Sequence, residues 1–166
     1  MVRDSVTILG IPVDNVTLAE AVDRIVSMAN GHDQCHVLTP NPEMLVAAQK
    51  DPAFSTVLRN SALNLPDGVG LLLASRFLGT PLKARVSGID AVIALCARAG
   101  FGPVFLLGAA PGIAERAADA LRKKNPSLVV AGTYAGSSDL REEDAIIHRI
   151  HTSGARVLFV AFGAPV

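Results

Sequence analysis

Three short polar clusters carry most of the side chains with chemical potential: Thr39-Pro40-Asn41-Pro42-Glu43, Leu65-Pro66-Asp67-Gly68-Val69-Gly70 and Arg85-Val86-Ser87-Gly88-Ile89-Asp90. A carboxylate such as Asp67 at the end of a strand, with Gly68 and Gly70 leaving space for a ligand, is placed to act as a general base. Arg85 supplies a planar cation whose fork suits phosphate oxygens, and Gly88 beside it permits close backbone approach. Each residue also has a plainer reading. Pro66-Asp67-Gly68 is an ordinary turn in which Asp67 can cap the next helix, Asn41 before Pro42 is a good N-cap, Thr39 is a strand end, and Arg85 can be a solvated charge. The two readings of Asp67 are compatible.

Leu107-Gly108-Ala109-Ala110-Pro111-Gly112 follows a strand-like run and opens a helical pattern, so its backbone N–H groups and helix dipole could receive a phosphate. It is neither G-x-G-x-x-G nor a P-loop, and small residues at such a turn are also demanded by packing. His148 and His151 are spaced i, i+3 on a helical pattern, but no other residues complete a ligand set. Glu142-Glu143-Asp144 at a helix start suits the dipole. No Asp-x-Asp is present to hold a divalent cation, and the expectation is a site with neither metal nor cofactor.

The elements must bring these clusters together. Val6 to Leu9 reads as a strand ending at Gly10-Ile11-Pro12, and Thr17-Leu18-Ala19-Glu20 as a capping box for a helix whose apolar positions Leu18, Val22, Ile25, Val26 and Ala29 share one face. Cys35 to Leu38 reads as a strand. Asn41-Pro42 and Asp51-Pro52 each pair an N-cap with proline at the first helical position, predicting helices Pro42 to Lys50 and Pro52 to Asn60. A brief strand at Leu63 to Leu65 and a helix from Gly68 to Phe77 follow. Gly79-Thr80-Pro81 makes Leu78 to Val86 a loop or small hairpin. Beyond it come helix Asp90 to Ala99, strand Val104 to Leu107, helix Pro111 to Lys124, strand Val129 to Thr133, helix Arg141 to Thr152 and strand Arg156 to Phe162. That alternation predicts βαβ units and a mostly parallel sheet with helices on both faces, a single Rossmann-like α/β domain over residues 1–166. In such a sheet the strand-to-helix junctions lie along one edge, where Thr39, Asp67 and Arg85 can line one crevice.

Composition narrows the function classes. The chain has 166 residues, half of them hydrophobic, enough for a full core. Fifteen Lys and Arg against fifteen Asp and Glu leave no net charge, which disfavours nucleic acid and anionic membrane as general partners. Cys35 and Cys96 are far apart without a C-x-x-C, which fits a reducing, cytoplasmic compartment. The start lacks the apolar core of a signal peptide, and no apolar run reaches the roughly 20 residues of a membrane span.

Taken together, the three polar clusters with Val104-Phe105-Leu106-Leu107-Gly108 and Val160-Ala161-Phe162-Gly163-Ala164-Pro165, in this order and spacing, resemble the WecG/TagA/CpsF glycosyltransferase family. The likeness covers nearly the whole chain and is nearest the branch that adds N-acetylmannosamine during wall teichoic acid synthesis. It implies an inverting, metal-independent transfer of an N-acetylmannosamine-type sugar from UDP to a polyprenyl-diphosphate-linked N-acetylglucosamine, at the inner face of the membrane. Asp67 matches the family's Asp-Gly base. Arg85 and the Gly108 and Ala109 turn would meet the diphosphate charge, and Thr39 and Asn41 would orient substrate. Gly68, Gly70, Gly88, Asp90 and Gly163 fall within the matching motifs, while Tyr134 and Gly136 would border the nucleotide, on the expected sheet edge.

Family members continue beyond Gly-Ala-Pro with Lys-Gln-Glu and a basic tail, whereas this sequence stops at Val166. The expectation is therefore a chain lacking part of the nucleotide site and the peripheral membrane contact of full-length members. It would be homo-oligomeric through its apolar last strand. Two alternatives stand beside this reading. One is an inactive relic or assembly subunit of the same fold. The other is a Rossmann-like methyltransferase or oxidoreductase, which would want a glycine-rich first βα turn that Gly10-Ile11-Pro12-Val13-Asp14 does not supply.

Overall fold

The first apolar run makes a hairpin where a single strand was expected. Strand β1 (Ser5–Ile8) pairs antiparallel with β2 (Ile11–Asp14), from Ser5 opposite Asp14 to Ile8 opposite Ile11. Leu9 and Gly10 between them have φ of 49° and 75°, the left-handed pair that a two-residue hairpin turn requires. Leu9 stands where such turns usually carry Asn or Asp, so no sequence signature marks the hairpin. The computed structural model describes residues 3–163; Ala164 and Pro165 of the last motif lie outside them.

Helix α1 (Leu18–Asn30) starts at the expected capping box: the Glu20 N–H donates to Thr17 Oγ1 at 3.3 Å and the Thr17 N–H to Glu20 Oε2 at 2.7 Å. Ala21, Val22 and Ile25 form its buried stripe. After β3 (Val37–Leu38) come α2 (Pro42–Ala48) and α3 (Pro52–Asn60), with Asn41 and Asp51 as N-caps and proline in each first turn. Strand β4 (Leu63–Asn64) lies parallel to β3, and α4 (Val69–Phe77) follows it. Residues 78 to 86 are coil.

One buried polar centre fastens β2 to β4. Asp14 is fully buried, accepts from Arg3 Nε and Nη2 at 2.9 and 2.6 Å, and takes the Asn64 N–H at 2.6 Å. Asn64 Nδ2 donates to the carbonyls of Pro12 and Leu58, both at 2.7 Å. A buried carboxylate is tolerated when it is paired and hydrogen-bonded in this way. The result anchors the strand that leads into Asp67.

Helix α5 (Gly88–Cys96) begins two residues before Asp90 and ends before Ala99. Then β5 (Val104–Gly108), α6 (Ile113–Lys124), β6 (Val130–Tyr134), a short 3-10 turn at Leu140–Glu142, α7 (Glu143–Ser153) and β7 (Val157–Ala161) alternate as expected. β5 is buried along its whole length and lies parallel to β6 on one side and β7 on the other. The chain is thus α/β with seven α-helices among the described residues. Its parallel pairs are divided between a two-stranded and a three-stranded sheet, with β1–β2 as a third, antiparallel pair.

The chain divides into two compact units, up to Ala91 and from Val92, the division falling inside α5. Ile11, Val13, Leu45, Leu58 and Leu71 are among the core of the first. Phe105, Leu107 and Ile146 form a buried cluster in the second. Cys35 is exposed, while burial pushes the Cys96 thiol up to about 11.

Candidate active site

Within the first unit, backbone hydrogen bonds join the three polar clusters. The Asp67 N–H donates to the Pro40 carbonyl at 3.1 Å, and the Val86 N–H to the Pro66 carbonyl at 2.8 Å. A Cβ built on Gly88 would come within 3.3 Å of Thr39 Oγ1, so the start of α5 closes on the end of β3. Thr39, Asn41, Asp67, Arg85 and Gly88 are therefore neighbours although they are up to about 50 residues apart in the chain. Arg85 Nη2 stands 3.3 Å from Asp67 Oδ1, with the two side chains 48% and 28% exposed. That pair is open enough to meet a solute.

The structure separates the two readings of Asp67. The N-cap of α4 is Gly68, with φ of 102° and no side-chain cap bond, so the Asp67 carboxylate is not capping. It faces a cation instead. Asn41 does cap, accepting the Met44 N–H on Oδ1 at 2.9 Å, which leaves its amide nitrogen as the group outside the cap. Asp90 accepts the Ser87 hydroxyl, and its N–H donates to Ser87 Oγ at 3.2 Å, so both groups are engaged in the first turn of α5. On the Cβ side of Gly68 and Gly70 lies Pro42, whose Cδ and Cγ would be 3.2 and 2.7 Å from an added methyl; these glycines let α4 pack on α2.

The coil that carries Arg85 is held at several points, none of which stood out in the sequence. Ser75, buried in α4, accepts the Leu82 N–H at 3.0 Å, and Asn15 accepts the Lys83 N–H at 2.8 Å. Lys83 Nζ meets Glu20 Oε1 at 3.1 Å. Such long-range bonds have no local sequence pattern.

In the second unit the named residues gather at the C-terminal ends of the parallel strands. Gly108, with φ of 105°, abuts β7 so closely that an added Cβ would be 2.7 Å from the Ala161 carbonyl carbon. The Ala109 N–H donates to the Ala161 carbonyl at 3.1 Å, so that donor of the expected phosphate turn is committed to the chain itself. Tyr134 packs on the Phe105–Leu107–Ile146 cluster, its hydroxyl donates to Glu142 Oε2 at 3.5 Å, and the Arg149 guanidinium lies 4.6 Å from its ring centre. Gly136 sits against that ring, whereas Gly163, with φ of 90°, has open space where its Cβ would be. Among the described residues no group of three or more His, Cys, Asp or Glu could hold a metal ion.

The arrangement supplies a carboxylate, an adjacent guanidinium and polar strand ends, which suits proton removal beside a phosphate-bearing leaving group. Comparison with known proteins points the same way. Residues 6–166 match the Glycosyl transferase WecG/TagA/CpsF family. The N-acetylglucosaminyldiphosphoundecaprenol N-acetyl-beta-D-mannosaminyltransferase of Staphylococcus aureus (strain MRSA252) is 31% identical over 164 residues, 96% of this chain and 64% of that protein. The protein of the same name from Bacillus spizizenii (strain ATCC 23059 / NRRL B-14472 / W23) is 29% identical over 131 residues, 78% of this chain and 50% of its own length. The matches thus span half to just under two thirds of these curated relatives. A family match over nearly all of the sequence, on a chain whose clustered motifs are joined in space, places this protein in the WecG/TagA/CpsF glycosyl transferase family.

Proposed function

We propose that residues 1–166 act as one glycosyltransferase domain at the inner face of the membrane. It moves N-acetylmannosamine or a related sugar from UDP to a polyprenyl-diphosphate-linked N-acetylglucosamine, with inversion and without a metal. The observation that carries this reading is the Asp67–Arg85 pair at 3.3 Å, on loops bonded to the Thr39 strand end. The relatives' names supply the sugar and the lipid-linked acceptor. Asp67 takes the proton from the acceptor hydroxyl as that oxygen bonds to the anomeric carbon. The bond from that carbon to the UDP oxygen breaks, and its electron pair leaves with UDP. A single displacement of this kind inverts the anomeric centre.

Arg85 has two roles in this scheme. In the free protein it is the partner of Asp67, and on donor binding its guanidinium turns to the diphosphate, which frees the carboxylate as base. Thr39 Oγ1 and the Asn41 amide orient the sugars. For the nucleotide we assign Gly108, Tyr134, Gly136 and Gly163, with Ala109 as a lining residue only because its N–H is bonded to Ala161, supported by their place at or just beyond the ends of β5, β6 and β7, where α/β sheets bind ligands. A Rossmann-like description belongs to the same proposal, supported by the parallel β6–β5–β7 order with α6 and α7 as connections.

Calorimetric titration with UDP tests the reading. The native chain should bind equally with and without a chelator, and Arg85→Ala should weaken binding by about 10- to 100-fold, the loss expected when a charge-assisted hydrogen bond is removed. Loss of binding on chelation would remove the metal-free site, and unchanged affinity in the Ala variant would remove Arg85 from it.

A further inference from the structure

Helix α4 is apolar on both faces. Leu71 and Ser75 are buried and Leu72 and Ala74 pack on the core, yet on the opposite side Val69, Leu73 and Phe77 recur every four residues at 63%, 48% and 91% exposure. Arg76, in line with Val69 two turns on, is the helix's single charge. Where Gly70 touches Pro42 the stripe meets a shallow hollow of about 500 Å³ lined by Pro42, Val46 and Ala47, with Glu43 and Lys50 at its rim. A short helix that is apolar all round is covered by something other than water.

We propose that this outer face of α4 docks on an anionic bilayer. A second copy of the chain is the obvious rival, but the area argues against it. Nine residues make a helix about 13 Å long and 10 Å wide, roughly 130 Å² in projection. A stable dimer needs on the order of 800 Å² per partner. The most exposed group is also in the wrong place for a dimer, because anchors of protein interfaces sit at the centre of the patch, whereas Phe77 ends the stripe beside Arg76. An aromatic ring and a cation together at one end of an apolar helix face match the headgroup level of a membrane with negative lipids. The zero net charge of the chain does not oppose this, since exposed charges act over about a Debye length and the local charge here is the Arg76 cation.

The docking has a purpose that rests on the proposed function. Helix α4 begins one residue after Gly68 and two after Asp67, so laying its outer face on the bilayer holds the carboxylate near the headgroups, where a diphosphate-linked sugar is presented. The face itself is read from exposure alone.

Sedimentation of the 166-residue chain with vesicles tests it, using phosphatidylglycerol mixed with phosphatidylcholine against phosphatidylcholine alone. The native chain should partition to the anionic vesicles. The double variant Leu73→Ser, Phe77→Ser should lose at least about tenfold in partition, since the hydrophobic contribution scales with the apolar area buried. Arg76→Gln should lower the preference for anionic lipid, and an unchanged circular dichroism melt checks that each variant is folded. Failure of the native chain to partition, or partition equal in the Ser variant, overturns the proposal. So does a dimer in light scattering that the Ser substitutions dissolve, which would assign the face to a second copy. A short-chain, water-soluble acceptor separates this from the proposed function. If no acceptor is glycosylated while vesicle binding still follows the variants, the transferase reading fails and the membrane face stands.

Discussion

Asp67 and Arg85 show how one contact changes the meaning of a residue. In the sequence Asp67 is a turn aspartate before a helix, but α4 is capped by Gly68 and the carboxylate pairs with Arg85 across 18 positions of chain. An exposed pair of this kind contributes at most about 1 kcal/mol, so its value to the fold is small and its position beside the Thr39 strand end points to chemistry. Asp67→Asn should therefore leave the unfolding free energy within about 1 kcal/mol of native. Transfer should fall by about 100-fold or more, since an amide accepts no proton at neutral pH. Single-turnover assays with radiolabelled donor, on a chain that shows transfer, measure it; equal turnover in the Asn variant would reduce Asp67 to a turn residue.

Helix α1 connects a local capping device to the coil that bears Arg85. The Glu20 carboxyl is lowered from its ordinary 4.5 to about 2, first by the Thr17 N–H, then by Lys83 and the Thr17 hydroxyl. Because the folded-state value lies below the unfolded one, the stabilisation is fully present above about pH 4.5 and is lost as pH falls towards 2. Glu20→Gln keeps a side chain able to accept the Thr17 N–H but loses the Lys83 charge pair. Urea unfolding should find this variant weaker than native at pH 7 and equal to it by pH 2. Thr17→Ala should cost about 1 kcal/mol at pH 7 and less by pH 2, because the hydroxyl still accepts the Glu20 N–H there but no longer has an ionised Glu20 to donate to. A Gln variant that matched native stability at pH 7 would show that the charge of Glu20 adds nothing.

Across the whole chain, the three-stranded sheet puts its fully buried strand β5 in the middle and leaves the wholly apolar β7 paired on one side only among the described residues. Leu158 and Val160 on β7 are 40% and 58% exposed. An apolar edge of that kind favours pairing with another chain, and a sequence pI of about 6.9 removes charge repulsion near neutral pH. Light scattering should therefore show self-association at neutral pH, reduced by Val160→Lys, which places a charge on the edge. A native chain that stays monomeric at high concentration would set this aside.

Elements whose signals are local were legible from the residues alone. Thr17 with Glu20, Asn41 with Pro42 and Asp51 with Pro52 set the starts of α1, α2 and α3, because capping and proline geometry act within one helical turn. The sequence also carried the family likeness and the order of the polar clusters. The β1–β2 hairpin has no such local signal, because Leu9 takes the left-handed conformation at a turn where Asn or Asp is the usual residue. The pairing of Asp14 with Asn64 across 50 positions, of Ser75 with Leu82 and of Asp67 with Arg85 emerges only in the folded chain. The physical reason is the same in each case. A hydrogen-bonding side chain leaves no periodic trace of its partner, and which partner it finds is settled only when the core closes around it.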